Sequence, residues 1–258
     1  MLQEPTFEFD GYQIPIRLIE LTGGGPQTFG LIAKGHMAQL AQYAPIGPTH
    51  NIVEIGCGIG RDALPLTGVL TTGRYLGIDI ARDSIEWCSG NITPKHPNFE
   101  FIHYDVQDQL HNPNGTTHTA DIVLPIDDGS IDRVIAQSVL THMTEADITH
   151  YLRQFKRIMR PGAIAFLTCF IVYPEILSAA QHHTERTPFH LTFEHNLSDG
   201  CFINDPNHPM GAVAYTPEAL TRMMDRGGFY DFRFARGNWS GALPIPSAAQ
   251  DALVLYAN

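Results

Sequence analysis

Residues 52–63 read IVEIGCGIGRDA, an apolar run that stops on Gly56, Gly58 and Gly60 and then turns helical. Glycine lets the backbone turn tightly, and it lets a ligand lie against the main chain with no Cβ in the way. The spacing bears on which ligand. A dinucleotide fingerprint, G-x-G-x-x-G/A, would place Arg61 where the third glycine must pack closely on the sheet. The chain fits E-x-G-x-G-x-G better, with Glu54 ahead of the turn. A carboxylate there suits a cationic, amine-bearing ligand and is unhelpful to a pyrophosphate. Two more acids hold comparable places. Asp79 ends a second apolar run 19 residues after Gly60, where a carboxylate can accept both hydroxyls of a ribose. Asp105 ends a third and can meet an adenine amino group, with Val106 supplying a backbone amide. An Asp at the end of a strand is also a common turn residue. It is the three acids together, at the carboxyl ends of successive strands, that point to a ligand crevice.

The elements that must carry these residues are legible from periodicity. Phe29 to Tyr43 reads as a helix stopped by Pro45, Gly47 and Pro48. Asn51 to Ile55 is a short strand, and a helix follows from about Arg61, with Pro65 a first-turn or kink residue. Arg74 to Ile80 is a second strand, Asp83 to Cys88 a second helix capped near Asp83 or Ser84, and Asn98 to Tyr104 a third strand. A polar loop containing HNPNGTTHT comes next. Ile131 to Ala136 is a fourth strand. Thr144 to Met159 is an amphipathic helix with Ile148, Leu152, Phe155, Ile158 and Met159 on one face. Pro161-Gly162 ends it, and Ala163 to Ile171 is strand five. Strands alternating with helices imply a parallel sheet covered on both faces. The end of the chain differs. A helix from Thr216 to Arg226 opens on a cap-plus-proline start and is followed by two strands, Tyr230 to Arg236 and Asp251 to Tyr256. With no helix between them, these two pair antiparallel most easily. The expectation is therefore an α/β fold with a seven-stranded sheet whose last strand is antiparallel. Residues 1–50 form a lead-in with a helix, residues 51–258 the main domain. Residues 172–215 are too long for an ordinary connection and are expected to be a cap inserted after strand five.

The chain has 258 residues with 43% hydrophobic and 17% charged side chains, enough to build a core and too apolar for wholesale disorder. A net charge of −11 argues against a nucleic-acid partner. Arg153, Lys156, Arg157 and Arg160 are the local exception, and a solvated helix face explains them better than a polyanion site. The start, MLQEPTFEFDG, has no basic region followed by an apolar run, and the apolar stretch from Ala163 to Val172 is too short for a bilayer. Cys57, Cys88, Cys169 and Cys201 form no C-x-x-C pair and suggest neither a disulfide framework nor a zinc site. The reading is a cytoplasmic protein with no membrane partner.

With these segments in hand, the chain from about Asn51 to Asn258 resembles the class I S-adenosylmethionine-dependent methyltransferases. EIGCGIG resembles their first motif, YLGIDI the second with the ribose acid at Asp79, and HYDV the adenine motif. LPIDDGSIDRVIAQSVLTHM resembles their fourth-strand segment and RIMRPGAIAFLT the turn into strand five, with Ala163 in place of a usual glycine and Ile131 in place of a common Phe. The resemblance implies a Rossmann-like domain and S-adenosyl-L-methionine as cofactor. Glu54, Gly56, Gly58, Asp79, Ile80, Asp105, Val106 and Gln137 would line it, with Arg61 near its carboxylate. HNPNG, SVLTHM, Phe170 and GNWSG followed by QDALVL look like a bacterial subgroup that methylates small-molecule or glycan-like acceptors.

On the acceptor side, the resemblance puts the end of strand four beside the methyl group. His142 lies just beyond it and is the candidate general base for a hydroxyl acceptor; packing at a helix start is the competing role. His182, His183, His190, His195 and His208 lie in the 172–215 segment with Glu185, Glu194, Asp199 and Asp205, but no pair has the i, i+4 spacing of a helical zinc motif, so no metal is expected. Tyr173, Phe189, Phe193, Phe202 and Trp239 suit an apolar acceptor wall and core packing equally. The favoured activity is methyl transfer to a hydroxyl oxygen of a small-molecule or glycan-like acceptor. The alternatives are an N- or C-methylating enzyme, a non-catalytic cofactor-binding domain, and a nicotinamide oxidoreductase, the last disfavoured by Arg61 and the final strand pair. Neither the acceptor nor the oligomeric state is encoded legibly.

Overall fold

Short β-branched and aromatic runs become strands, and the amphipathic stretches between them become helices. The structure, a computed structural model, describes residues 4–108, 112–182, 191–243 and 250–258. The chain divides into two compact units, residues 1–116 and 117–258.

The first unit opens on a hairpin, β1 (Thr6–Phe9) and β2 (Tyr12–Pro15), that the periodicity of the lead-in did not announce. Its turn is Asp10-Gly11, both with positive φ (49° and 76°), the twist that a two-residue hairpin loop requires. Helices α1 (Ile16–Glu20) and α2 (Pro26–Tyr43) follow. Then β3 (Ile52–Ile55), β4 (Tyr75–Asp79) and β5 (Phe99–His103) pair in parallel, joined by α3 (Ala63–Leu66) and α4 (Arg82–Asn91). The helix expected from about Arg61 is only four residues long. Gly60 is left-handed with φ 78°, so the helix cannot begin before it, and Pro65 sits in its first turn, where the missing N–H costs no helical bond. Helix α4 runs three residues past its expected end at Cys88.

The second unit holds β6 (Ile131–Ala136), α5 (Glu145–Ile158), β7 (Met159–Cys169), α6 (Pro174–His182), β8 (His195–Ser198), β9 (Cys201–Ile203), β10 (Val213–Tyr215), α7 (Pro217–Gly227), β11 (Phe232–Ala235) and β12 (Asp251–Tyr256). Thr144 caps α5 through its hydroxyl, which accepts from the Asp147 amide, while the Asp147 carboxylate accepts from the Thr144 amide, a capping box. Thr216 caps α7, Pro217 opens it and left-handed Gly228 closes it. Strand β7 starts at Met159, before the Pro161-Gly162 turn, because the chain bulges there: Ile131 pairs with Met159, but Arg133 already pairs with Ile164. Helices α5 and α7 approach closely at Gly227, where a Cβ would fall 2.5 Å from that of Leu152. The basic run along α5 and into the start of β7 is spent internally. Arg153 donates to the Arg226 carbonyl, Lys156 to that of Asn258, Arg157 to Leu124, Ile126 and Asp128, and Arg160 to Ser130.

The sheet has seven strands in the order β11-β12-β7-β6-β3-β4-β5. The last strand, β12, is the antiparallel one, inserted between β11 and β7, so the α/β, Rossmann-like expectation holds. Residues 172–215 contribute α6 and a separate three-stranded antiparallel sheet, β10-β9-β8. Tyr215 of β10 bridges in parallel to Ile171 at the end of β7. The aromatic residues of this region resolve toward packing. Phe193 and Trp239 are fully buried with Phe170 in edge-to-face and tilted contacts at 5.2–5.4 Å, and Tyr173 and Phe202 pack against that cluster. Phe189 lies outside the described residues, as do His183, His190 and Glu185. Among the described residues no helix is long and apolar enough to cross a membrane.

Candidate functional site

In the first unit the glycine turn follows β3 directly. Gly56 and Gly58 have φ of 73° and 52°, a region that residues with a Cβ rarely adopt, and a Cβ on Gly58 would also fall 2.7 Å from the Thr22 side chain. Asp79, the last residue of β4, organises the turn. One carboxylate oxygen accepts from the Gly58 amide at 2.6 Å and the other from the Ala81 amide at 2.7 Å. The acid expected to serve a ribose therefore also locks the two loops that flank a ligand crevice.

Glu54 is placed differently from Asp79. It sits inside β3, is 3% exposed, and accepts a short hydrogen bond from the Tyr75 hydroxyl on β4. Burial, and then the negative charge of Asp62, push its carboxyl well above the usual carboxylate range. Asp62 is itself buried and bonded to His36 Nδ1 at 2.8 Å. Arg61 is half-buried; it donates to the Gly23 carbonyl at 3.2 Å and lies 5.9 Å from the Phe29 ring centroid. Burial lowers its guanidinium pKa, while Asp62 and Glu54 oppose that. Cys57 and Cys88 each lie 3.8 Å from the Gly58 carbonyl oxygen, and burial pushes both thiols up, so they are protonated and poor nucleophiles.

A cleft of about 240 Å³ opens beside this turn. It is lined from three parts of the chain: Leu21, then Ile80, Ala81, Arg82 and Asp83, then His103, Asp105 and Asn112. Of the expected cofactor residues, Ile80 and Asp105 line this cleft, and Asp79 adjoins it in the chain. Asp105 lies two residues beyond β5, and its carboxylate accepts from Asn112 Nδ2 at 3.0 Å and from Thr116 Oγ1 at 2.8 Å. The Asn112 bond and then the Thr116 bond hold it below the ordinary carboxylate range. Val106 is buried, and its carbonyl also accepts from Asn112. His103, which the sequence reading passed over, bonds through Nε2 to the Ile80 carbonyl at 3.1 Å. Its strand position next to the HYDV acid was the available signal. For Asn112 the signal was its place in the HNPNG segment; Leu21 carried none, since it lies in no strand, helix or motif.

In the second unit Gln137 follows β6 and is buried. Ser138 has φ of 57°, rare for a residue with a Cβ. Its amide donates to Thr168 Oγ1 at 2.7 Å and its hydroxyl accepts from Gln250 at 2.9 Å. The chain then makes a 3₁₀ turn, Leu140–His142. His142 is half-buried, and its Nδ1 lies 2.9 Å from the Met210 carbonyl oxygen. A carbonyl only accepts, so Nδ1 carries the hydrogen and a neutral ring has its lone pair on Nε2. The Tyr215 hydroxyl donates to the next carbonyl, that of Met143, at 2.7 Å. Residues of the 172–215 segment thus grip the turn that carries His142. Among the described residues no group of three His, Cys, Asp or Glu side chains could hold a metal, and the four cysteines are free and buried.

Residues 52–162 match the methyltransferase domain family. The surrounding fold agrees with that match. A SAM-dependent methyltransferase from Archaeoglobus fulgidus superposes with a TM-score of 0.53 at 16% identity, over 87% of this chain and 94% of that one. The fold is that of the class I methyltransferases. Among curated proteins, methyltransferase GfsG of Streptomyces halstedii is 25% identical over 124 residues, and a 37.1 kDa protein in transposon TN4556 of Streptomyces fradiae is 30% identical over 131 residues. These matches span 48% and 50% of this chain and only 39% and 33% of those relatives' lengths. The methyltransferase domain match takes in the glycine turn, Asp79, Asp105, Gln137 and His142.

Proposed function

We propose that the chain is an S-adenosylmethionine-dependent methyltransferase that acts on a hydroxyl oxygen of a small-molecule or glycan-like acceptor. The observation that carries this reading is the Asp79 carboxylate holding the Gly58 and Ala81 amides directly before the cleft-lining Ile80 and Ala81, inside the segment that matches the methyltransferase domain family. The cleft fits a nucleoside better than a whole cofactor, since sites enclosing a drug-sized ligand run to about 300–1,000 Å³. Apolar Ile80 and Ala81 suit ring faces, and the polar groups of His103 and Asn112 suit ring edges. The glycine turn offers main chain to an amino-acid moiety; Arg61 supplies a positive charge for its carboxylate, and Glu54, protonated in the fold without ligand, supplies a carboxyl that pairs with its ammonium group once ionised. Val106 and Asp105 serve the adenine edge.

When bound, the cofactor supplies an electrophilic methyl group on a sulfonium. The residues of this chain have then to align an acceptor and take its proton. We assign proton acceptance to His142 Nε2, with the Met210 carbonyl fixing the tautomer. Residues 172–215 are assigned to acceptor binding because that segment grips the His142 turn from two sides. Titration calorimetry with S-adenosylhomocysteine and with NAD tests the reading; tight binding of NAD and none of S-adenosylhomocysteine would overturn it.

Two consequences follow for the cofactor residues. Replacing Asp79 with alanine removes both the ribose partner and the acceptor of the Gly58 amide, and S-adenosylhomocysteine affinity is expected to fall by about 1.5–3 kcal/mol, the range for a hydrogen bond to a charged group. A calorimetric change of a few tenths would move the ribose contact elsewhere. Glu54 has the opposite sign in stability. Its folded carboxyl pKa is raised, so the folded state keeps a proton that the unfolded state releases from about pH 4.3 upward. Stability without ligand is therefore expected to fall as pH rises through that window. Glu54→Gln removes this dependence while leaving an acceptor for Tyr75. In urea unfolding the variant should gain on the wild type as pH rises, and at the same time bind S-adenosylhomocysteine more weakly; parallel pH profiles would contradict the assignment.

A further inference from the structure

Three ties hold residues 17–25, which precede the family match, against the glycine turn and the cleft. Arg17 bridges Glu4 and the cleft residue Asp83, each at 2.6 Å. Thr22 occupies the space that a Cβ on Gly58 would need. Arg61, just after the glycine turn, donates to the Gly23 carbonyl. Between these ties Leu21 lines the cleft while 50% exposed, one of the few large apolar side chains so exposed among the described residues. A half-exposed leucine is unremarkable on a surface, but here it faces a cleft whose other apolar lining is Ile80 and Ala81. Its carbonyl-side neighbours, Gly23 and Gly24, have φ of 73° and 86°, a backbone that bends the segment back into α2.

We infer that the Leu21–Gly25 segment is a wall of the cofactor site, and that Leu21 packs on the heterocycle of the nucleoside. This rests on the reading that the chain binds S-adenosylmethionine. The physical reason is the composition of the cleft: its apolar groups, Leu21 and Ile80–Ala81, come from two separate parts of the chain, and a flat ring with two apolar faces can be met by both. Burial of the exposed half of Leu21 against a ligand is favourable by the usual transfer of apolar area. Leu21 is outside the core, so changing it leaves the fold in place.

The test is calorimetry on the full chain with S-adenosylhomocysteine and 5′-methylthioadenosine, the second lacking the amino-acid end. Leu21→Asp is expected to weaken both ligands about tenfold or more, and Leu21→Met to restore binding, with thermal melts unchanged. Leu21→Ala stands in should the aspartate variant fail to fold, with a smaller loss of the same kind. Equal binding of S-adenosylhomocysteine by the wild type and the variants overturns the inference and leaves the functional reading intact. A loss for S-adenosylhomocysteine with none for methylthioadenosine overturns the placement at the nucleoside end. No binding of either ligand by the wild type overturns both the functional reading and the inference.

Discussion

Replacing His142 with alanine is expected to lower methyl transfer by about 10²–10⁴-fold, the usual span for general-base catalysis, with S-adenosylhomocysteine affinity nearly unchanged. A neutral alcohol is a poor nucleophile, and a base that titrates near the working pH takes its proton as the methyl group moves. The Met210 carbonyl, 2.9 Å from Nδ1, removes the uncertainty of tautomer and leaves Nε2 as the basic nitrogen. Wild-type turnover should rise with pH along a histidine limb that the variant lacks. Radiolabelled transfer to a panel of alcohol acceptors measures both. Near-normal turnover in the variant, or an acceptor that is already anionic, would return His142 to a packing role at the start of α5.

The second large effect belongs to Asp251, which is fully buried at the head of β12. Its carboxylate accepts from the Ile171 amide at 2.8 Å, the Gly237 amide at 2.7 Å, Trp239 Nε1 at 2.8 Å and Arg236 Nε at 3.2 Å. Burial pushes its pKa up, while the Gly237 and Ile171 amides pull it back. Asp251→Ala leaves those donors without an acceptor and Arg236 without its countercharge. Removing one partner of a buried ion pair costs about 3–5 kcal/mol, and the stranded N–H groups point the same way. Denaturant unfolding measures the loss, and the near-ultraviolet signal of Trp239 should broaden with it. Asp251→Asn, which keeps the shape and one acceptor oxygen, should fall between. A loss below about 1 kcal/mol for the alanine variant would mean that the junction of β7, β12 and the 236–240 loop is held by packing alone.

The two experiments separate rate from stability. The His142 variant should lose rate and keep stability, whereas the Asp251 variant should lose stability first. If the Asp251 variant keeps its fold but loses rate, the aromatic cluster of Phe170, Phe193 and Trp239 supports the acceptor side more directly than packing requires.

What the sequence determined by itself was local. The strand at Ile131–Ala136, the Thr144 and Thr216 caps and the left-handed Gly228 all follow from interactions within a few residues, so periodicity and capping rules reach them. The Asp10-Gly11 turn obeys the same rules, although the lead-in announces only a helix by its periodicity. The glycine turn, Asp79 and the antiparallel last strand were legible because backbone conformation and strand ends constrain residue type directly. Tertiary structure decided the rest. That Glu54 is committed to Tyr75, Asp105 to Asn112 and Thr116, and His142 to a carbonyl 68 residues away depends on which segments meet after folding, and no spacing rule encodes that. The same holds for Leu21, which has no motif around it. Its place beside the cleft comes from the Arg17–Asp83 and Arg61–Gly23 bonds, contacts that span 66 and 38 residues and arise only once the sheet and α2 have brought those residues together.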